Sequence, residues 1–335
     1  MRMRKQSRGR RFFCFLLCLL LHGILSFKMM RKILYIVMII VAQFQLVSCE
    51  RDFDIKIQSN KPMLIVEGYI NNEMKEYNYV VLSRSQDYYS TTLENLPVYG
   101  AKVTVTEGTL QPDNSIAWDK DNAVILRERN IATINISSRT ISNGIYFDER
   151  LITDTSNALL GKPGKYYLLR IEVDGNIYTA VTYLPVPVNL DRLSSENHFI
   201  DADKNEERAM ITLHYKDPDS LGNAQLVYSR SDDNRNNFGW GGLRSGRFIN
   251  ATDDLINGQY LNVVVSADFA IKEKVDYYLV SVERSVYNFW NSFNKAKDNA
   301  GPFSTPVMLD NTITGDDVIG CFSGFSLSGK TIVVK

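Results

Sequence analysis

The residues best suited to do chemistry are Leu46-Val47-Ser48-Cys49, where a thiol follows a small residue at the end of an apolar run. This reads as a bacterial lipobox. A signal peptidase cuts before such a cysteine, whose thiol carries a diacylglycerol thioether that tethers everything downstream to a membrane. Other candidates are weaker. Beyond Cys49 the only histidines are His198, in a polar loop, and His214, in an expected strand, and neither belongs to a nucleophile elbow or a metalloprotease helix. Asp201, Asp203 and Asn205 are spaced like calcium-loop ligands, but Glu206 stands where that loop turns on glycine, and Thr212 where it needs a bidentate carboxylate. The reading is a flexible acidic linker. Acidic pairs such as Asp217 and Asp219, or Asp316 and Asp317, read as turns. The sequence therefore assigns no catalytic residue, no metal site and no cofactor. Cys321 reads as a small buried hydrophobe in an apolar strand.

Aromatic side chains are the other signal. Tyr88 and Tyr89 share one loop, Phe238 and Trp240 lie in the Gly- and Asn-rich insertion Asp232 to Gly246, and Tyr287, Phe289 and Trp290 lie around an expected helix. A flat ring beside glycines either stacks on a sugar or partner, or folds back onto its own sheet. Tyr88, Tyr89, Phe238 and Trp240 are the candidates for ligand or partner binding.

These residues must be positioned by strands. From Pro62 onward, short alternating runs rich in Val, Ile, Tyr and Thr are separated by Gly, Asn, Asp and Pro, an all-β pattern. Strands are expected at Met63 to Ile70, Tyr77 to Leu82, Lys102 to Thr106, Ala123 to Leu126 and Ile131 to Ile136. Lys165 to Val173 and Ile177 to Leu184 form a hairpin across Asp174-Gly175-Asn176, whose residues tolerate positive φ. Pro185 and Pro187 cannot donate to a central ladder and mark a boundary. Beyond them, strands are expected at Ala209 to Tyr215, Gln225 to Tyr228, Tyr260 to Ala267, Val275 to Val282, Val318 to Phe322 and Thr331 to Val334. Ser285 to Lys297 reads as one helix, with an apolar face of Val286, Phe289, Trp290 and Phe293. The expected organisation is an immunoglobulin- or transthyretin-like β-sandwich over 62–187, followed by a second β-rich domain over 188–335 with one short helix.

Residues 30–48 read as a lipoprotein signal peptide, and 49–61 as an acidic tether carrying Glu50, Asp52 and Asp54. Residues 1–29 are an additional or untranslated segment. With Met1 as the start, two apolar runs result, each short of the ~20 residues that span a bilayer, whereas Met29 or Met30 leaves one compact signal. Residues 1–48 hold nine Lys and Arg and no acid, so residues 49–335 carry 29 basic and 38 acidic side chains, net −9. That balance excludes nucleic acid as the expected partner. Cutting before Cys49 also removes Cys14 and Cys18, which leaves no thiol pair for an intrachain disulfide if Cys49 is lipidated.

Several segments in order resemble a family of exported lipoproteins from Bacteroidota-type bacteria, catalogued as domain of unknown function 4249. They are 64–70 (LIVEGYI), 97–105 (PVYGAKVTV), 164–169 (GKYYLL), Tyr178-Thr179-Ala180 leading to Pro185-Val186-Pro187, Asp276-Tyr277-Tyr278, Gly301-Pro302-Phe303 and 320–325 (GCFSGF). The resemblance implies a neighbouring TonB-dependent outer-membrane receptor and an accessory role in capturing or passing a nutrient. It supplies no catalytic residue. It also implies that acidic residues after the lipid-bearing cysteine favour the cell surface over the periplasmic face. The leading expectation is a non-enzymatic lipoprotein that binds a receptor, glycan or peptide. Two alternatives stand beside it. One is a glycan hydrolase with two carboxylates about 5 to 10 Å apart, and the other an adhesin or stalk subunit that offers an open sheet edge.

Overall fold

The computed structural model describes residues 31–36, 38, 62–86, 96–128, 144–203, 205–231, 244–248, 253–299 and 305–335. Residues 1–58 and 59–335 are two separate units. In the first, residues 31–36 and 38 are helical, and Ile33, Leu34, Ile36 and Met38 are exposed.

The second unit is mostly β. Its strands are β1 Leu64–Asn71, β2 Tyr79–Arg84, β3 Lys102–Leu110, β4 Ile116–Trp118, β5 Val124–Glu128, β6 Ile145–Phe147, β7 Tyr166–Val173, β8 Asn176–Tyr183, β9 Leu190–Asp201, β10 Glu206–Lys216, β11 Ala224–Ser231, β12 Arg244–Phe248, β13 Tyr260–Ala270, β14 Lys274–Val282 and β15 Val318–Val333. Twelve of them form one sheet in the order β12-β11-β14-β15-β1-β2-β6-β5-β3-β7-β8, with β4 on β3, and β13-β10-β9 form another. The β7–β8 hairpin turns at Asp174 (φ 51°) and Gly175 (φ 78°), as their tolerance of positive φ predicts.

The long sheet curls so that β1 and β2 face β3 and β7, with Leu64, Val66, Val80, Leu82, Val103, Leu169, Ile171 and Phe322 buried between them. This packing agrees with the expected all-β, sandwich-like fold. Two departures from the sequence reading stand out. First, residues 62–187 and 188–335 share a sheet, because Val318 to Phe325 of β15 pairs in parallel with β1, while Ser326 to Val333 pairs antiparallel with β14. The two short strands expected at Val318 to Phe322 and Thr331 to Val334 are therefore one strand of 16 residues. Second, the stretch around His198 is no loop. It belongs to β9, whose polar sequence hides the strand because few of its side chains are buried.

β14 alternates in burial over its first half and is buried on both faces from Leu279 to Val282. Val275, Tyr277 and Leu279 face β9, β10 and β13, whereas Val280 and Val282 face the helix Arg284–Asp298. Where a strand is covered on both faces, apolar residues need not alternate with polar ones. That helix buries Val286, Tyr287 and Phe289 against Tyr69, Phe325 and Leu327, and each fully buried side chain of this size contributes about 1.5 to 3 kcal/mol.

Candidate functional site

Cys49 and the cleavage residues Leu46, Val47 and Ser48 lie outside the described residues, as do Tyr88, Tyr89, Phe238 and Trp240. The strand expected at Ile131 to Ile136 lies outside them as well. The helix aromatics are placed, and they serve the core. Trp290 stacks on Tyr69 with ring centroids 6.2 Å apart, and its indole N–H donates to Ser323 Oγ at 3.0 Å. Cys321 is buried opposite Glu67 in the β1–β15 register. Burial pushes its thiol up to about 12, so it holds no thiolate for chemistry at neutral pH.

The expected calcium-loop look-alike is a hairpin turn between β9 and β10. Asp201 pairs with Glu206, and Asp201 Oδ1 accepts from the Asp203 N–H at 3.1 Å. His198 Nδ1 lies 3.6 Å from Glu207 Oε1.

His214 meets partners that sequence spacing did not disclose. Its Nε2 lies 2.7 Å from Ser194 Oγ and its Nδ1 2.5 Å from Asn262 Oδ1, so Ser, His and Asn from three adjacent strands fall in line. The proton inventory runs against nucleophile activation. A serine hydroxyl has one proton, and Ser194 gives it to Glu196 Oε1 at 2.6 Å. Ser194 then has no proton to give the imidazole, so the group is a cross-strand polar ladder.

A cleft lies where β8 hands the chain to β9. A cavity of about 470 Å³ is lined by Tyr183, the segment Pro185 to Val188, the turn residues Pro218 and Ser220 to Asn223, and the stretch Ser281 to Arg284 that leads into the helix. The prolines read as a boundary thus form a wall. Because they offer no N–H, the wall is held through its other groups: Ser326 Oγ donates to the Pro185 carbonyl, the Val188 N–H donates to Ser281 Oγ at 3.0 Å, and the Leu190 N–H donates to Ser328 Oγ at 3.0 Å. Val186 and Leu221, 69% and 68% exposed, are apolar residues of the lining left open to water.

One carboxylate enters this cleft. Glu283 Oε1 accepts from Thr182 Oγ1 at 3.1 Å, and the Ser285 hydroxyl and Tyr183 N–H also support it. Burial outweighs those bonds and pushes the carboxyl up from its ordinary value. Its neighbour Arg284 turns away, with Nη2 donating to the Asn223 carbonyl at 2.7 Å and the guanidinium 5.4 Å from the Tyr287 ring centre. Cleavage by two facing carboxylates needs a second acid, and none lines the cleft among the described residues. The sequence signal for this site was Pro185 and Pro187, whose punctuation was legible although the concavity was not.

Fold and cleft together define a mostly β protein with a ligand-sized cleft framed by connections on a hydrogen-bonded scaffold. The chain belongs to the family described as domain of unknown function (DUF4249), whose model matches residues 50–331. No curated protein matches it.

Proposed function

We propose that this protein is an exported lipoprotein, anchored to the outer membrane through Cys49, that binds a ligand or partner without transforming it. Its role is accessory to a TonB-dependent nutrient-uptake receptor. The observation that carries the binding reading is the cleft at Pro185 to Val188, whose volume of about 470 Å³ falls in the range of small-molecule and peptide sites. Its apolar walls and few convergent polar groups suit recognition. The address rests on the lipobox and the short apolar run before it; no helix among the described residues is long and apolar enough to cross a membrane. Glu50, Asp52 and Asp54 favour the cell surface.

Cys49→Ala tests the address. It is expected to abolish labelling by a radiolabelled fatty acid and to release the protein from the membrane fraction; labelling that persists would refute the anchor. Affinity purification of the lipidated protein from its native membrane tests the accessory role. A TonB-dependent receptor is expected with it in stoichiometric amount, and a preparation free of such a receptor removes that role.

A further inference from the structure

We propose that the cleft receives the lysine or arginine side chain of a short extended peptide, its cationic head set against Glu283 and its flanking apolar residues against Val186 and Leu221. This rests on the cleft being the binding site. Among the described residues no ion pair involves Glu283, although its carboxylate is half-buried. The obvious cation, Arg284, is committed to the Asn223 carbonyl. A carboxylate withdrawn from water gains most from a cation brought to it. The helix that starts at Arg284 supplies about half a positive charge at its first turn. Burial outweighs the hydrogen bonds that Glu283 accepts from Thr182, Ser285 and Tyr183.

The rest of the lining selects the body of the ligand. Proline rings, Val186, Val188 and Leu221 present aliphatic surface, while Ser281 Oγ is engaged by the Val188 N–H and the Asn223 side chain by the Ser220 carbonyl and Gln225. A basic residue between apolar neighbours matches both features. Residues 49–335 carry 29 basic and 38 acidic side chains, so the long-range field also favours a cation.

The test is isothermal titration of the full lipidated chain in detergent with acetyl-Val-Lys-Val-amide and with the same peptide carrying norleucine in place of lysine. The lysine peptide is expected to bind at least tenfold more tightly. Glu283→Gln, which keeps an acceptor for Thr182, is expected to bring the lysine peptide to the norleucine affinity, with folding checked by circular dichroism. Leu221→Trp, at an exposed position, is expected to close the mouth and weaken both peptides. Equal affinities that both fall with Leu221→Trp would overturn the cationic assignment and leave the cleft reading standing. Binding of neither peptide, or binding untouched by Leu221→Trp, would overturn both.

Discussion

Gly320→Ala should be the most damaging single-methyl change in this protein. Gly320 lies in β15 opposite Val66 of β1 with φ 155°, and a Cβ built there falls 1.9 Å from the Val66 carbonyl oxygen and 2.7 Å from its carbonyl carbon. Both are backbone atoms of a buried strand, so neither can rotate aside. Holding a non-glycine residue in such a conformation costs about 1 to 3 kcal/mol, and overpacking a core about 1 to 3 kcal/mol more. A loss of about 2 to 6 kcal/mol is expected, a large share of the ~5 to 15 kcal/mol that stabilises a typical protein. Gly164→Ala is the control, because Gly164 also has positive φ (83°) but nothing lies within 4 Å of its Cβ position; about 1 kcal/mol is expected there. In urea unfolding followed by tryptophan fluorescence, with a slope of about 3 kcal/mol/M, the midpoints should fall by about 0.7 to 2 M and about 0.3 M respectively. Equal shifts would refute the reasoning, since close approach of β15 to β1 would then contribute nothing beyond backbone conformation.

Glu67 accepts from the Tyr69 hydroxyl at 2.5 Å, yet burial outweighs that bond and pushes its carboxyl up. The unfolded chain thus ionises at lower pH than the folded one, and stability declines as pH rises through the ordinary carboxylate value toward the folded value. Glu67→Gln should flatten this decline in a pH series of unfolding midpoints; an unchanged profile would contradict it. Cys321, 1% exposed with its thiol pushed up to about 12, should react with Ellman's reagent only as fast as the protein unfolds. Fast labelling under native conditions would show that β15 opens locally.

Much of the frame was legible because the signals were local. Period-two alternation located β1, β3, β7 and β10, and the Asp174-Gly175 turn located the β7–β8 hairpin. β9 escaped because it is a mostly exposed edge strand held by one neighbour, so its side chains follow no burial pattern. The sharing of a sheet by residues 62–187 and 188–335 was not legible. It depends on Leu64–Asn71 pairing with Val318 to Phe325, more than 240 residues away, and pairing at that distance leaves no periodicity to read. In hindsight, the resemblance segments at 64–70 and 320–325 are direct neighbours across this ladder. The cleft was half legible: Pro185 and Pro187 announced a break in the ladder, but Glu283, from a distant strand end, gave no sign that it would enter the same space.

The double pairing of Val318–Val333 also sets an order in time. Every strand it joins is synthesised before it, so β1 and β14 wait with unsatisfied edges until the segment emerges. Contacts this distant in sequence are slow to form. Export, as proposed above, would gain from that delay, because the chain would stay threadable until this strand is free. A chain shortened before Val318 would leave two half-built sandwiches, each exposing an edge that invites pairing with another molecule.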